Sequence, residues 1–231
     1  MNYISLICAR GGSKGLKNKN IMELNNIPLV GWSINSAKNI DQIKDVFVST
    51  DSKDIASIAK SYGAKIPFLR PMELAEDSSS EWLVWQHAVN FLEKNGEIFD
   101  AIVVLPPTAP LRSDFDITNA IDIFEKNNVD AVISVTDSHR SPFFNMVKNN
   151  EDGFAEVVLN NKDYYRRQDV PQTFDMTTAV YVVKRLHVKN SSKLFDGKIL
   201  SSFVPKERAV DIDDIYDFQF AEFLLNRRDV K

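Results

Sequence analysis

Two hydrophobic regimes alternate along the chain. Short apolar runs fall at 3–7 (Tyr-Ile-Ser-Leu-Ile), 45–50, 100–105, 130–135 and 179–183, each the length of a buried strand. Between them apolar residues recur every three or four positions, the helical period. The spacing predicts a helix over 28–37 with Pro28 in its first position. A second covers 54–62, capped by Ser52 and closed by Gly63. A third covers 81–94, with Trp82, Trp85, Val89 and Leu92 on its apolar face. A fourth covers 114–127, starting from Ser113 or Asp114, with Phe115, Ile117, Ile121 and Phe124 inward. The last covers 214–227, with Ile215, Phe218, Ala221, Phe223, Leu224 and Leu225 as its apolar residues. Residues 65–69 read as a short strand that Pro67 makes an edge or an interrupted one. The β-α-β-α-β order at the start implies a parallel sheet with right-handed crossovers.

The pattern changes over 137–174, where little helical period remains. Met146-Val147-Lys148 and Ala155-Glu156-Val157-Val158 flank a turn signal at Asp152-Gly153, which predicts a hairpin. So long a segment with so little helix inside an α/β chain calls for a functional explanation.

Composition narrows the class. A chain of 231 residues holds one large α/β domain or two small ones, and 44% hydrophobic with 26% charged residues is ample for a core. No window approaches 18 uninterrupted apolar residues, and no basic segment precedes an apolar one at the start. Neither a membrane span nor a secretion signal is expected. Cys8 is the single cysteine, so an internal disulfide is excluded and a reducing cytoplasm is the expected setting. It ends a buried run and reads as core packing rather than as a nucleophile. An isoelectric point near 5.5 argues against a general nucleic-acid binder.

Against that acidic balance, one stretch is purely basic. Cys8-Ala9-Arg10-Gly11-Gly12-Ser13-Lys14-Gly15-Leu16-Lys17-Asn18-Lys19-Asn20 carries four cations and no acid, directly after the first strand. Its glycines admit close backbone approach, and its N–H groups and cations suit a polyphosphate. It matches neither G-x-x-x-x-G-K-[ST] nor G-x-G-x-x-G. The alternative is a solvated basic turn. Near the C-terminus, Asp211 and Asp213 are two apart on an extended segment, so their side chains share one face. Beside a triphosphate they make a Mg²⁺ site; standing alone, Asp213 or Asp214 is a helix cap. No Ser-His-Asp set, zinc-spaced cluster or glycosidase carboxylate pair is readable. His87 and His187 read as structural or solvent-facing, and His139 lies in the irregular segment.

The basic loop with Lys19-Asn20-Ile21 resembles the signature of the N-acylneuraminate cytidylyltransferases (CMP-sialic acid synthetases), a family that includes enzymes activating legionaminic acid. Three further stretches are similar: Arg70-Pro71-Met72-Glu73-Leu74-Ala75-Glu76-Asp77, Pro107-Thr108-Ala109-Pro110-Leu111-Arg112, and Asp211-Ile212-Asp213. The resemblance implies one α/β domain over 1–231, a doubly wound, mainly parallel Rossmann-like nucleotidyltransferase sheet with an inserted dimerisation arm at about 137–178. It implies transfer of CMP from CTP to the anomeric hydroxyl of a nine-carbon sugar acid, with release of pyrophosphate, in a homodimer. Catalytic roles fall on Arg10, Lys14, Lys19 and Asp211, with Lys17 a weaker helper. The nucleotide is held by Ala9, Arg10, Gly11, Gly12, Ser13, Lys19, Asn20, Arg70, Ser79 and Ser80. Mg²⁺ is held by Asp211 and Asp213, and the sugar by Arg167, Gln168, Asp175 and Thr177.

Three positions depart from the family pattern. Pro106 stands where Gln is common, and Asp175 and Thr177 replace the Arg and Asn frequent in sialic acid synthetases. An Asp-Met pair like Asp175-Met176 accords with the legionaminate type. The alternatives are another acid sugar or nucleotide, and a catalytically silent CTP-binding or structural relative. Phe143 and Phe144 are candidate interface anchors.

Overall fold

A computed structural model describes residues 1–12, 15–76, 78–159, 164 and 166–228, with the backbone alone at 167 and 228. In chain order, β1 (Tyr3–Cys8) leads through the glycine-rich loop to a small ladder of β2 (Glu23–Leu24) and β3 (Ile27–Pro28). Then follow α1 (Leu29–Lys38), β4 (Ile43–Ser49), α2 (Lys53–Ser61), α3 (Glu81–Lys94), β5 (Ala101–Val104) and α4 (Asp114–Lys126). The second half holds β6 (Ala131–Asp137), a hairpin of β7 (Val147–Asn149) and β8 (Ala155–Val157), and the long β9 (Phe174–Lys184). It ends with α5 (Arg185–Asn190), β10 (Ile199–Phe203) and α6 (Ile215–Arg228).

Six strands form one sheet in the order β10-β6-β9-β5-β1-β4. β1 pairs in parallel with β4 and β5, and β6 in parallel with β10. Only β9 runs antiparallel, wedged between β5 and β6. Side-chain alternation explains why the strand runs are apolar throughout. Tyr3 and Ile7 of β1 point into a core shared with α1, α2 and α4. Ile4 and Leu6 point the other way, into a core with the tryptophans of α3. Both faces are covered, so neither can be polar.

Most predicted elements form where the periodicity puts them. Ser52 caps α2, its hydroxyl accepting from the Ile55 N–H, and Ser113 with Asp116 makes a full capping box on α4. Three details differ. The strand expected at 65–69 reduces to two isolated bridges, Phe47 with Lys65 and Thr50 with Leu69, because Pro67 has no N–H to donate between them. Phe115 is exposed rather than inward; the buried stripe of α4 is Ile117, Ala120, Ile121 and Phe124, a strict helical spacing that leaves Phe115 on the far side. Thr177 turns into the sheet. Its hydroxyl donates to Ser134 Oγ at 2.8 Å, and Ser134 donates to the Thr177 carbonyl at 2.9 Å, filling an irregularity in the β6–β9 ladder.

The irregular segment is an excursion between β6 and β9. Its β7–β8 hairpin is exposed, and Gly153 takes φ +86° in the turn, as the Asp-Gly signal requires. A third apolar cluster binds α6 to the body through Leu24, Leu29, Leu111, Phe218, Ala221, Leu225 and Ile212.

Candidate active site

The parallel strands β1 and β4 end at one edge of the sheet, and a cleft of about 590 Å³ opens there. In open α/β sheets that edge is where ligands bind. Chain order alone puts the first cations here, since the loop after β1 must turn over the strand ends.

The loop is held by its neighbours. The Gly11 N–H donates to Asp51 Oδ1 at 2.9 Å, and the Asn20 side-chain amide donates to the Arg10 carbonyl at 2.9 Å. Asn18 sits in the left-handed region (φ 56°) and starts the short turn Lys19–Ile21. From that turn Lys19 reaches across the cleft, where its Nζ donates to the Ile212 carbonyl at 2.6 Å and to Asp213 Oδ1 at 3.0 Å. Gly15 lies so close to the same segment that a Cβ there would sit 2.3 Å from the Asp213 carbonyl oxygen.

The acidic segment is anchored from the other side. Ile212 is fully buried and its N–H donates to the Thr108 carbonyl at 2.8 Å. With Ile212 fixed inward, Asp211 and Asp213 both face the cleft. Asp211 Oδ1 is buried without a hydrogen-bond partner. A buried, unpaired carboxylate oxygen beside a second carboxylate of the same cleft suits a hard divalent ion. Among the described residues no three His, Cys, Asp or Glu side chains gather closely enough to hold a metal by themselves, so phosphate oxygens or water would complete the shell.

The proline loop between β5 and α4 forms another wall, with Pro106, Pro107 and Thr108 lining the cleft. Arg112 fixes it from beneath. This guanidinium is buried and donates to the Ala179 carbonyl at 2.6 Å, to Ser33 Oγ at 2.8 Å and to the Pro106 carbonyl. Burial pulls it down to about 9, and the negative charges of Asp211 and Asp116 push the other way. Its donors hold the backbone of residue 106, so the loop keeps its course without the Gln side chain common there. Arg70, also buried, donates to Ser49 Oγ at 3.1 Å and to the Ser49 carbonyl at 2.6 Å, and borders the cleft.

The expected nucleotide residues thus divide. Arg10, Lys19, Asn20, Arg70 and Ser79 line the cleft together with Asp211 and Asp213. Gly11 and Gly12 lie in the covering loop. Ala9 is buried with its N–H donating to the Ser49 carbonyl, below the site rather than in it. Ser80 stands at the start of α3 and makes no side-chain cap bond. Ser13 and Lys14 lie outside the described residues, as does the side chain of Arg167.

The expected sugar residues do not share this cleft. Gln168 borders a separate hollow of about 470 Å³ with Arg140 and Lys206. Asp175 borders one of about 430 Å³ with His139 and Phe220. Thr177 is buried against Ser134, as described above; its neighbour Thr178 faces the cleft instead, 3.4 Å from the Thr108 hydroxyl.

Several participants show their roles only in the fold. Asp51 shows its role only once β4 is placed beside β1, and Arg112 points down rather than out. Glu81 lines the cleft directly after the serine cluster, where adjacency to Ser79 and Ser80 is its one sequence cue. Cys8 also borders the cleft floor. Burial pushes its thiol up to about 12, so it stays protonated and is no nucleophile. His87 packs edge-on against Phe68, where burial lowers it and keeps it neutral, and His187 is buried in bonds to Leu194 and Ser191.

Known proteins are similar to this chain in sequence and in fold. The chain is 37% identical over 227 residues to the post-translational flagellin modification protein B of Campylobacter coli, covering 97% of this chain and 95% of that protein. It is 36% identical over 226 residues to the CMP-N,N'-diacetyllegionaminic acid synthase of Campylobacter jejuni, with the same coverage. A solved CMP:2-keto-3-deoxy-manno-octonic acid synthetase in complex with CTP superposes with a TM-score of 0.74 at 15% identity, covering 99% of this chain and all of that one, which shows the shared fold. The cytidylyltransferase family model matches residues 4–222, and with it the basic loop, the proline loop and the paired aspartates all fall inside one match: the chain belongs to the cytidylyltransferase family.

Proposed function

We propose that this cytidylyltransferase transfers CMP from CTP to the anomeric hydroxyl of a nine-carbon sugar acid of the legionaminic or N-acylneuraminic type, releasing pyrophosphate. One observation carries the reading. The cations of the glycine-rich loop and the Asp211–Asp213 carboxylates meet in a single cleft at the strand ends, with one oxygen of Asp211 buried and unpaired. The legionaminate-activating relative supports the choice of sugar.

The hydroxyl attacks the α-phosphorus, the bond from that phosphorus to the bridging oxygen breaks, and the β- and γ-phosphates leave together; the hydroxyl proton is lost to solvent or a cleft base. Chemistry of this kind is mostly placement and charge stabilisation. Arg10 and Lys19, with Lys14, neutralise the phosphates. Asn20 keeps the loop closed through its bond to Arg10, while Arg70 and Ser79 border the nucleoside. Asp211 and Asp213 would hold Mg²⁺, which when bound supplies Lewis-acid polarisation of phosphate oxygens. In this reading Lys19 exchanges Asp213 for a phosphate as CTP enters.

Of the expected sugar residues Gln168 belongs to the insertion and Asp175 to the start of β9, and we assign the insertion's exposed hairpin to contact with a second protomer, whose arm would close over the acceptor side. A cytoplasmic location is part of the reading; the single cysteine supports it, and among the described residues no helix is long and apolar enough to cross a membrane.

The test is pyrophosphate release with CTP and Mg²⁺ across legionaminic, N-acetylneuraminic and pseudaminic acids and an eight-carbon control. We expect turnover with one or two nine-carbon acids, and none when Mg²⁺ is withheld. Release with UTP alone, or with the eight-carbon acid alone, overturns the reading.

A further inference from the structure

We infer that Glu81 is a substrate-binding side chain of the cleft, one that accepts hydrogen bonds from hydroxyl or amide groups of the sugar acid and so takes part in choosing it. The inference rests on the transfer reading above and assigns a residue that the reading leaves unused.

The cleft has chemically distinct walls. Arg10 and Lys19 come from the turns after β1. Glu81 comes from a different element, as the first residue of α3, and it is exposed to the cleft. Burial raises its carboxyl, the Trp85 side chain and the positive charge of Arg70 act the other way, and the negative charge of Asp211 adds to the rise. The Tyr181 hydroxyl, on β9, feels Glu81 and Asp211 alike. The Tyr181 ring packs on Trp85, one turn along α3 from Glu81, at 5.6 Å between centroids. Glu81 and Asp211 therefore both line the cleft, as does Thr178 of β9, with Tyr181 buried against Trp85 of the helix that carries Glu81.

Charge decides which reactant Glu81 meets. A triphosphate is drawn to the cations of the loop and, through Mg²⁺, to Asp211 and Asp213, and the further carboxylate of Glu81 adds nothing to that attraction. The second reactant must approach the α-phosphorus from a side the phosphates do not fill. A sugar acid brings one carboxylate and many donors. Glu81 repels the former and accepts from the latter, so it favours one orientation: acid group away, hydroxyl or amide donors toward α3. An acceptor that a substrate fails to pair discriminates strongly against that substrate.

A purely structural role is the competing account, since an acidic residue at a helix start favours the helix dipole. The two accounts separate in kinetics. We expect Glu81→Ala to raise the KM for the sugar acid that the wild type turns over by roughly tenfold or more, the scale of one lost charge-assisted hydrogen bond. The KM for CTP should change less than twofold, and Glu81→Gln should fall between, with its melting temperature reporting that the fold is intact. Equal loss for CTP and sugar, or wild-type kinetics for the sugar with only a lowered melting temperature, overturns the inference. If the wild type itself binds CTP but releases no pyrophosphate with any sugar acid, the transfer reading fails and takes this inference with it. That outcome is seen before any variant is made.

Discussion

Lys19 shows how much of the site rests on single atoms. One ammonium holds both a carbonyl and a carboxylate of the acidic segment, and Gly15 leaves the gap that lets the two strands of chain meet. A methyl group added at Gly15 would have to displace the Asp213 backbone, because carbonyl oxygen and Cβ cannot stand 2.3 Å apart. We expect Gly15→Ala to keep the fold and lose on the order of 10²-fold in turnover, the penalty for a misplacement of about 1 Å near reacting groups. Circular dichroism with pyrophosphate release checks both halves; a variant with wild-type turnover would mean the segment moves aside at no cost. The residues that the sequence made legible here are those whose chemistry is local. A run of cations between glycines announces itself, and so do two aspartates two apart. Asp51 and Arg112 act across the fold; nothing beside Asp51 marks it, and the proline run that ends in Arg112 does not show that its guanidinium turns inward.

Elements were legible to the extent that periodicity alone builds them. The capping box of α4 and the Trp82–Trp85 face of α3 follow from spacing. The antiparallel course of β9 does not: an apolar run over 179–183 looks the same whichever way it enters a sheet. Nor does the run show that β9 begins at Phe174, since its first residues are exposed and pair only with the end of β6. The link from α4 to the acidic segment is equally invisible. Asp116, buried on α4, accepts two hydrogen bonds from Arg208 at 2.8 and 2.9 Å and a third from the Ser113 N–H. Burial alone would raise this carboxyl, but the bonds from Arg208 and Ser113 outweigh it and hold it below its ordinary value. The ion pair therefore contributes fully above about pH 3.8, and that contribution is lost as pH falls from there through the lower folded value. Asp116→Ala should cost about 3 kcal/mol at pH 7, since it strands a partly buried guanidinium and removes the cap. Urea midpoints should show the full deficit at pH 7 and a shrinking one as pH falls below 3.8. An equal deficit throughout would assign the loss to packing rather than charge.

For the whole molecule, the insertion and its flanks carry several of the exposed apolar residues: Val147, Phe154, Phe174 and Met176 are each more than two-fifths exposed. Phe143 and Phe144 are half-buried, Phe143 against Tyr164 at 6.1 Å, so they brace the arm as much as they present it. A patch of this kind on a stable chain marks a contact surface. We expect sedimentation as a dimer at micromolar concentration, and a shift toward monomer when Val147→Asp is combined with Phe154→Ser. A wild-type monomer under those conditions would remove the second protomer from the reading. Such a contact is hard to see in one sequence, because an exposed apolar residue and a buried one are spelled alike.

The neighbouring placement of β6 and β9 has a consequence for descent. Asp137 and Phe174 face each other across one rung of the ladder, so the excursion leaves and returns at points about 5 Å apart. A segment whose two ends meet in this way behaves as a cassette. It can be lengthened, trimmed or traded with a cousin's without rerouting any strand, and the closure entropy rises only with the logarithm of its length. The glycine-rich loop enjoys no such freedom, pinned as it is between Asp51 and the acidic segment. Lineages descending from this chain would be expected to keep the triphosphate end nearly unaltered while the excursion diversifies.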